Sequence, residues 1–164
     1  MPLFYVCSLQ SLDGVGLVHH SRLVRLGCAA LGGIDVAFEQ HREEWDYMLS
    51  RLQGAVDIIA FQDGHPDYED LETFQRINVE LCAKYGFECW SNIESFDRDI
   101  RNPKFQVINW EKMRFKMRSA ENAGCTKFIT FEFTPFMSPN GCYPAAKYLL
   151  KRYLEENGIN NITL

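Results

Sequence analysis

The run Val56-Asp57-Ile58-Ile59-Ala60-Phe61-Gln62, closed by Asp63-Gly64-His65-Pro66, decides the architecture. It is short, almost wholly apolar and ends on an amide, the pattern of a parallel strand covered on both sides. The Asp-Gly-His-Pro that follows is loop chemistry. Upstream, residues 39–53 put Trp45, Met48, Leu49 and Leu52 on one helical face, with Gly54 as a C-terminal stop. Downstream, residues 67–85 repeat that period with Leu71, Phe74, Ile77 and Leu81 before Gly86. A buried strand between two amphipathic helices is the repeating unit of a parallel α/β fold with right-handed crossovers.

The unit recurs along the chain. The pattern predicts a strand over 87–93, a polar loop over 97–103 and a helix over 109–123 that stops at Gly124. A strand over 127–133, a Pro-rich loop over 134–144 and a helix over 145–157 complete it. Towards the N-terminus the pattern weakens to a strand over 3–9 and a helix over 20–31, with turns at Gly14, Gly16, Gly32 and Gly33. No linker or low-complexity stretch intervenes, so residues 1–164 read as one domain. Residues 1–33 form an atypical opening and 34–158 carry the repeats.

The chain has 164 residues, 46% hydrophobic and 24% charged, which excludes a disordered chain. No apolar run of about 18 residues exists, so no membrane span is expected. A formal charge of −5 argues against a nucleic-acid partner. Six cysteines (Cys7, Cys28, Cys82, Cys89, Cys125 and Cys142) show no CxxC and no histidine at metal-ligand spacing, and read as reduced, mostly buried thiols. Met1 to Cys7 lacks the charged region and cleavage site of a signal peptide. The expectation is cytoplasmic if the start is native, exported if an upstream signal is missing. A closed (β/α)8 barrel usually needs about 250 residues, more than this chain has.

Polar residues gather at the strand ends. Side chains alternate along a strand, so Ala60 and Gln62 share a face, as do Trp90, Asn92 and Glu94, and Thr130 and Glu132. The expected arrangement turns the apolar faces to the helices and brings the polar tips together at the C-terminal mouth, where barrels of this kind carry their sites. Adjacent strands lie about 4.8 Å apart, so Glu94 and Glu132 are expected close together. Paired carboxylates can repel until one holds a proton, and glycoside hydrolysis needs such a pair. Trp90, Phe96, Phe136 and Tyr143 offer flat surfaces for sugar rings. Plainer readings stand beside these: Glu94 pairing with a lysine or arginine, Glu132 satisfying a loop, Asp63 forming a turn, His65 solvated, and the aromatics at 133–136 packing as core. A divalent cation on Asp63, Glu94 and Glu132 is the weaker alternative, for want of a histidine.

Three segments together resemble a known family: Asp57-Ile58-Ile59-Ala60-Phe61-Gln62-Asp63-Gly64, then Cys89-Trp90-Ser91-Asn92-Ile93-Glu94-Ser95-Phe96, then Phe128-Ile129-Thr130-Phe131-Glu132 with Phe136-Met137-Ser138-Pro139. In order and spacing they are similar to the C-terminal half of a family of bacterial domains of unknown function, built as glycoside-hydrolase-like TIM barrels. The resemblance covers roughly residues 35 to 158 and implies a TIM-barrel-like fold, here a partial or half barrel, with a carbohydrate-related activity. A half barrel exposes two parallel edges, which favours a homodimer.

The expectation is therefore a glycoside hydrolase-like α/β domain acting on a carbohydrate. Glu94 is nucleophile or general base and Glu132 the acid or a charge-tuning neighbour. Gln62, Asp63, Trp90, Asn92, Phe136 and Tyr143 hold the sugar, with no cofactor and no metal. The competing expectation is a non-catalytic carbohydrate-binding or assembly module formed by an incomplete barrel. A metal-dependent sugar isomerase or epimerase is a third.

Overall fold

The computed structural model describes residues 3–6, 23–27, 34–64, 66–99 and 102–159, with side chains over 37–64, 66–97 and 105–159. In chain order the elements are β1 (Leu3–Val6), β2 (Leu23–Gly27), α1 (Ile34–Leu52), β3 (Ile58–Gln62), α2 (Leu71–Tyr85) and β4 (Glu88–Glu94). Then come β5 (Phe96–Asp99), β6 (Asn102–Val107), α3 (Trp110–Ala123), β7 (Lys127–Phe131), the single turn α4 (Phe133–Phe136) and α5 (Pro144–Glu156). Left-handed glycines at 86 and 124 end α2 and α3, as their positions in the sequence imply.

One parallel sheet organises the chain, in the order β1-β7-β4-β3-β2. The apolar run is its β3, buried over Ile58 to Phe61 and paired with β4 from Ile58↔Glu88 to Gln62↔Asn92. Ile59 and Phe61 turn to α1 and α2, packing with Trp45, Leu49, Ile77 and Leu81. Ile93 and Phe128 turn to α3 and α5, packing with Trp110, Met113, Met117 and Leu149. Burial of side chains of this size contributes about 1.5–3 kcal/mol each, so these two clusters anchor the helices to one face of the sheet.

Three expectations need correction. Residues 23–27 of the expected N-terminal helix form a strand, because pairing with β3 satisfies their backbone and overrides local preference. The strand expected over 3–9 is present over its described residues as β1, 3–6, and pairs with the last strand, β7. The polar segment after β4 is no plain loop but the antiparallel pair β5–β6. Most consequential is β7. Its register with β4 sets Asn92 beside Ile129 and Glu94 beside Phe131. Thr130 therefore lies on the helix side with Phe128, and its Oγ1 meets Met137 Sδ at 3.3 Å. The apolar face of this strand points inward and the polar face outward, the reverse of the expected arrangement. The turns expected at Gly14, Gly16, Gly32 and Gly33, the loop residue His65, and Cys7 and Cys28 lie outside the described residues. Cys82, Cys89, Cys125 and Cys142 are free thiols, the first and third buried, Cys89 half-buried and Cys142 exposed.

Candidate carboxylate site

Two neighbouring strand ends and one helix build the site. Glu94 closes β4, and its side chain is only 4% exposed. Gln62, level with Asn92 at the end of β3, donates from Nε2 to Glu94 Oε1 at 2.6 Å. Asp63 is the next residue along and its side chain is fully buried. Its Oδ1 accepts the Glu94 backbone N–H at 2.9 Å. The strand ends are thus tied by a side chain in each direction.

The third member comes from α3. Lys116 sits among Met113, Met117 and Ala120 on the buried stripe of that helix, where a lysine needs a partner. Its Nζ lies 3.3 Å from Asp63 Oδ1 and 3.9 Å from Glu94 Oε2. One ammonium serves both carboxylates and stands where a cation bridging Asp63 and Glu94 would sit. Gly64 completes the floor. A Cβ built there would stand 2.0 Å from Glu94 Oε1 and 2.5 Å from Cδ, so only glycine admits the carboxylate at this height.

Burial raises the Asp63 carboxyl to about 6; Lys116 and the Glu94 N–H oppose that rise and the Glu94 charge adds to it. Its Oδ2 is buried with no hydrogen-bond partner among the described residues. Above this floor opens a cavity of about 310 Å³, lined also by Tyr68, Leu71, Phe96 and Asp97. Aromatic contacts lead away from Phe96: Phe136 lies 5.2 Å from it, and Tyr143 stacks on Phe136 at 5.3 Å and 18°.

The expected site residues separate into three groups. Gln62, Asp63 and Glu94 meet directly. Phe136 is buried against Phe96 with Tyr143 stacked on it, and neither lines the cavity, so Phe136 packs as core. Asn92 lies one pleat below Glu94, 1% exposed, with its Oδ1 lacking a partner among the described residues. Trp90 is four residues below Glu94, about 13 Å down the strand, with the Lys127 ammonium 5.2 Å from its ring. Glu132 follows β7 by one residue; its carbonyl accepts Ser95 Oγ at 3.0 Å. No hydrogen bond or ion pair among the described residues joins its carboxylate to Glu94. Lys116, Gly64, Tyr68 and Asp97 escaped sequence reasoning. Lys116 alone carried a signal, as a lysine on an apolar helical stripe.

Comparison with known proteins adds two findings. A family model described as Domain of unknown function (DUF4434) matches residues 33–143. A crystal structure described as that of "a putative alpha-L-fucosidase from Bacteroides thetaiotaomicron VPI-5482" aligns with a TM-score of 0.72 and 45% identity. The alignment covers 75% of this chain and 38% of that one, so the chain spans well under half of that protein's length. No curated protein matches the chain.

Proposed function

The chain belongs to the DUF4434 family of domains of unknown function, which is glycoside-hydrolase-like, and from that premise we propose that its carboxylate site acts on a carbohydrate. The observation that carries this reading is Glu94, a buried carboxylate held over Gly64 by Gln62 and Lys116 beneath a small cavity. It stands at the C-terminal end of a parallel strand, where (β/α) barrels place their chemistry. We read the sheet as an arc of such a barrel, similar to part of a longer glycoside-hydrolase-like protein.

Glycoside cleavage needs one group to protonate the leaving oxygen and another to attack the anomeric carbon or activate water. Glu94 is the proposed nucleophile or base. Gln62 fixes one oxygen, and Lys116 flanks the other. Asp63 has no exposed side-chain surface and acts as a positioning residue, carrying Lys116 and the Glu94 backbone. Glu132 is the proposed proton donor. The Ser95 bond to its carbonyl keeps it next to the end of β4, and its carboxylate makes no hydrogen bond among the described residues. The neighbour's name makes aryl α-L-fucosides the first substrates to try. Replacing Glu94 by Gln is expected to lower kcat on the responsive glycoside by about 10²-fold or more. An unchanged rate removes Glu94 from the chemistry.

A second reading, a carbohydrate-binding module without catalysis, draws on one observation: Glu132 does not line the cavity that Glu94 floors. Calorimetry separates the two. Oligosaccharide binding that survives Glu94→Gln with Glu132→Gln, in a chain whose parent hydrolyses nothing, selects the binding module.

A further inference from the structure

We propose that the half-exposed ring pair Tyr68 and Phe115 is a platform for the second ring of a neutral oligosaccharide whose terminal ring enters the cavity. The inference rests on the carbohydrate reading above and extends it from one ring to a chain.

The cavity is small. At about 310 Å³ it lies at the small end of ligand sites, which run from about 300 to 1,000 Å³. It suits one sugar ring, so any second ring must lie outside it, on the rim. The rim there is aromatic. Tyr68, in the loop between β3 and α2, is 37% exposed and lines the cavity mouth. Phe115 of α3 is 45% exposed, and its ring centroid lies 5.6 Å from that of Tyr68 at 59°. Phe115 directly precedes Lys116, so the helical turn that sends an ammonium to the floor also sets a ring at the rim.

Scattered exposed apolar residues need no explanation. This pair differs because two elements present rings in mutual contact beside a polar cavity. It is also braced. Lys112, one turn before Phe115, has its Nζ 5.8 Å from the Tyr68 ring and pairs with Asp97 of the cavity wall. The Tyr68 phenol is protonated at neutral pH, as any tyrosine is, and burial with Asp97, Asp63 and Glu94 nearby pushes it further up, to about 12. A ring that is apolar on its face and donates at its edge matches a sugar, which has C–H faces and hydroxyl edges. The cavity residues Asp63, Asp67, Glu94 and Asp97 outnumber Lys116, which disfavours anionic sugars.

The test is calorimetric, on the Glu94→Gln chain so that nothing turns over. The probes are paired neutral glycosides, methyl α-L-fucoside with 2′-fucosyllactose first, then methyl hexosides with their disaccharides. The expected result is about tenfold tighter binding of the longer member. Phe115→Leu, outside the cavity lining, should abolish that preference and leave the single ring unaffected, while Phe115→Tyr keeps it. Tyr68→Ala, which also removes part of the cavity wall, should abolish the preference and weaken both probes. Both positions are exposed, and circular dichroism of each variant checks the fold. Equal binding of long and short probes, or a preference that survives both substitutions, overturns the platform and leaves the one-ring site standing. No binding of any pair overturns the carbohydrate reading, and the platform with it.

Discussion

A fully buried aspartate is costly unless something answers its charge, and at Asp63 the answer is Lys116 with the Glu94 backbone N–H. The Asp63 carboxyl stands at about 6, above its usual 3.8. Because the folded value is the higher one, the stability this group contributes is whole below 3.8 and drains away as pH rises through 6. Lys116 limits that loss. With Lys116→Met the carboxyl rises further, and the penalty at neutral pH grows. We expect Lys116→Met to cost about 3–5 kcal/mol in urea unfolding at pH 7.5 and clearly less at pH 4. An equal cost at both values would mean that the lysine contributes packing alone.

The pairing of α1 with α2 contains the other buried titratable group of note. His41 donates from Nε2 to Asn78 Oδ1 at 2.7 Å and meets the edge of Phe74 at 4.9 Å. Burial lowers its pKa below 6.5, with Arg42 adding to that, while Asn78 and Glu44 pull it up. A depressed folded value means stability that is present above 6.5 and lost as pH falls through the folded value. Between pH 7.5 and 5.5 the urea midpoint of the parent should lose ground to that of His41→Gln, since the Asp63 response is common to both. Parallel slopes would assign the pH response elsewhere. The helices and central strands were legible in the sequence because each carries its own period and its own glycine stop. The direction in which β7 turns was not legible. Alternation groups Thr130 with Glu132, but only the register against β4 decides which face looks inward. The strand at 23–27 was hidden for a similar reason, since pairing with β3 is a long-range fact. At the site, Gln62, Asp63 and Glu94 could be read from strand ends, whereas Lys116 is delivered by a helix that the sequence leaves unplaced.

At the scale of the whole molecule, β1 and β2 are the outermost strands of the described sheet. Outer parallel strands present unpaired N–H and C=O groups, and pairing with a second copy is one way to satisfy them. We propose that this chain forms a homodimer through these edges. Light scattering at micromolar concentration should give about twice 19.0 kDa. A particle at the single-chain mass would overturn the dimer and place any carbohydrate site within one copy.

Gly64 has a consequence for how this chain can vary. The Glu94 carboxylate occupies the space a side chain at 64 would need, so the two positions behave as one locus. A lineage acquires alanine at 64 only by shortening or moving what stands at 94, and the cost of either change depends on the other. A glycine at 64 is in that sense a marker: a relative that has lost it has also given up the full-length carboxylate in this position, whatever else of the fold it keeps.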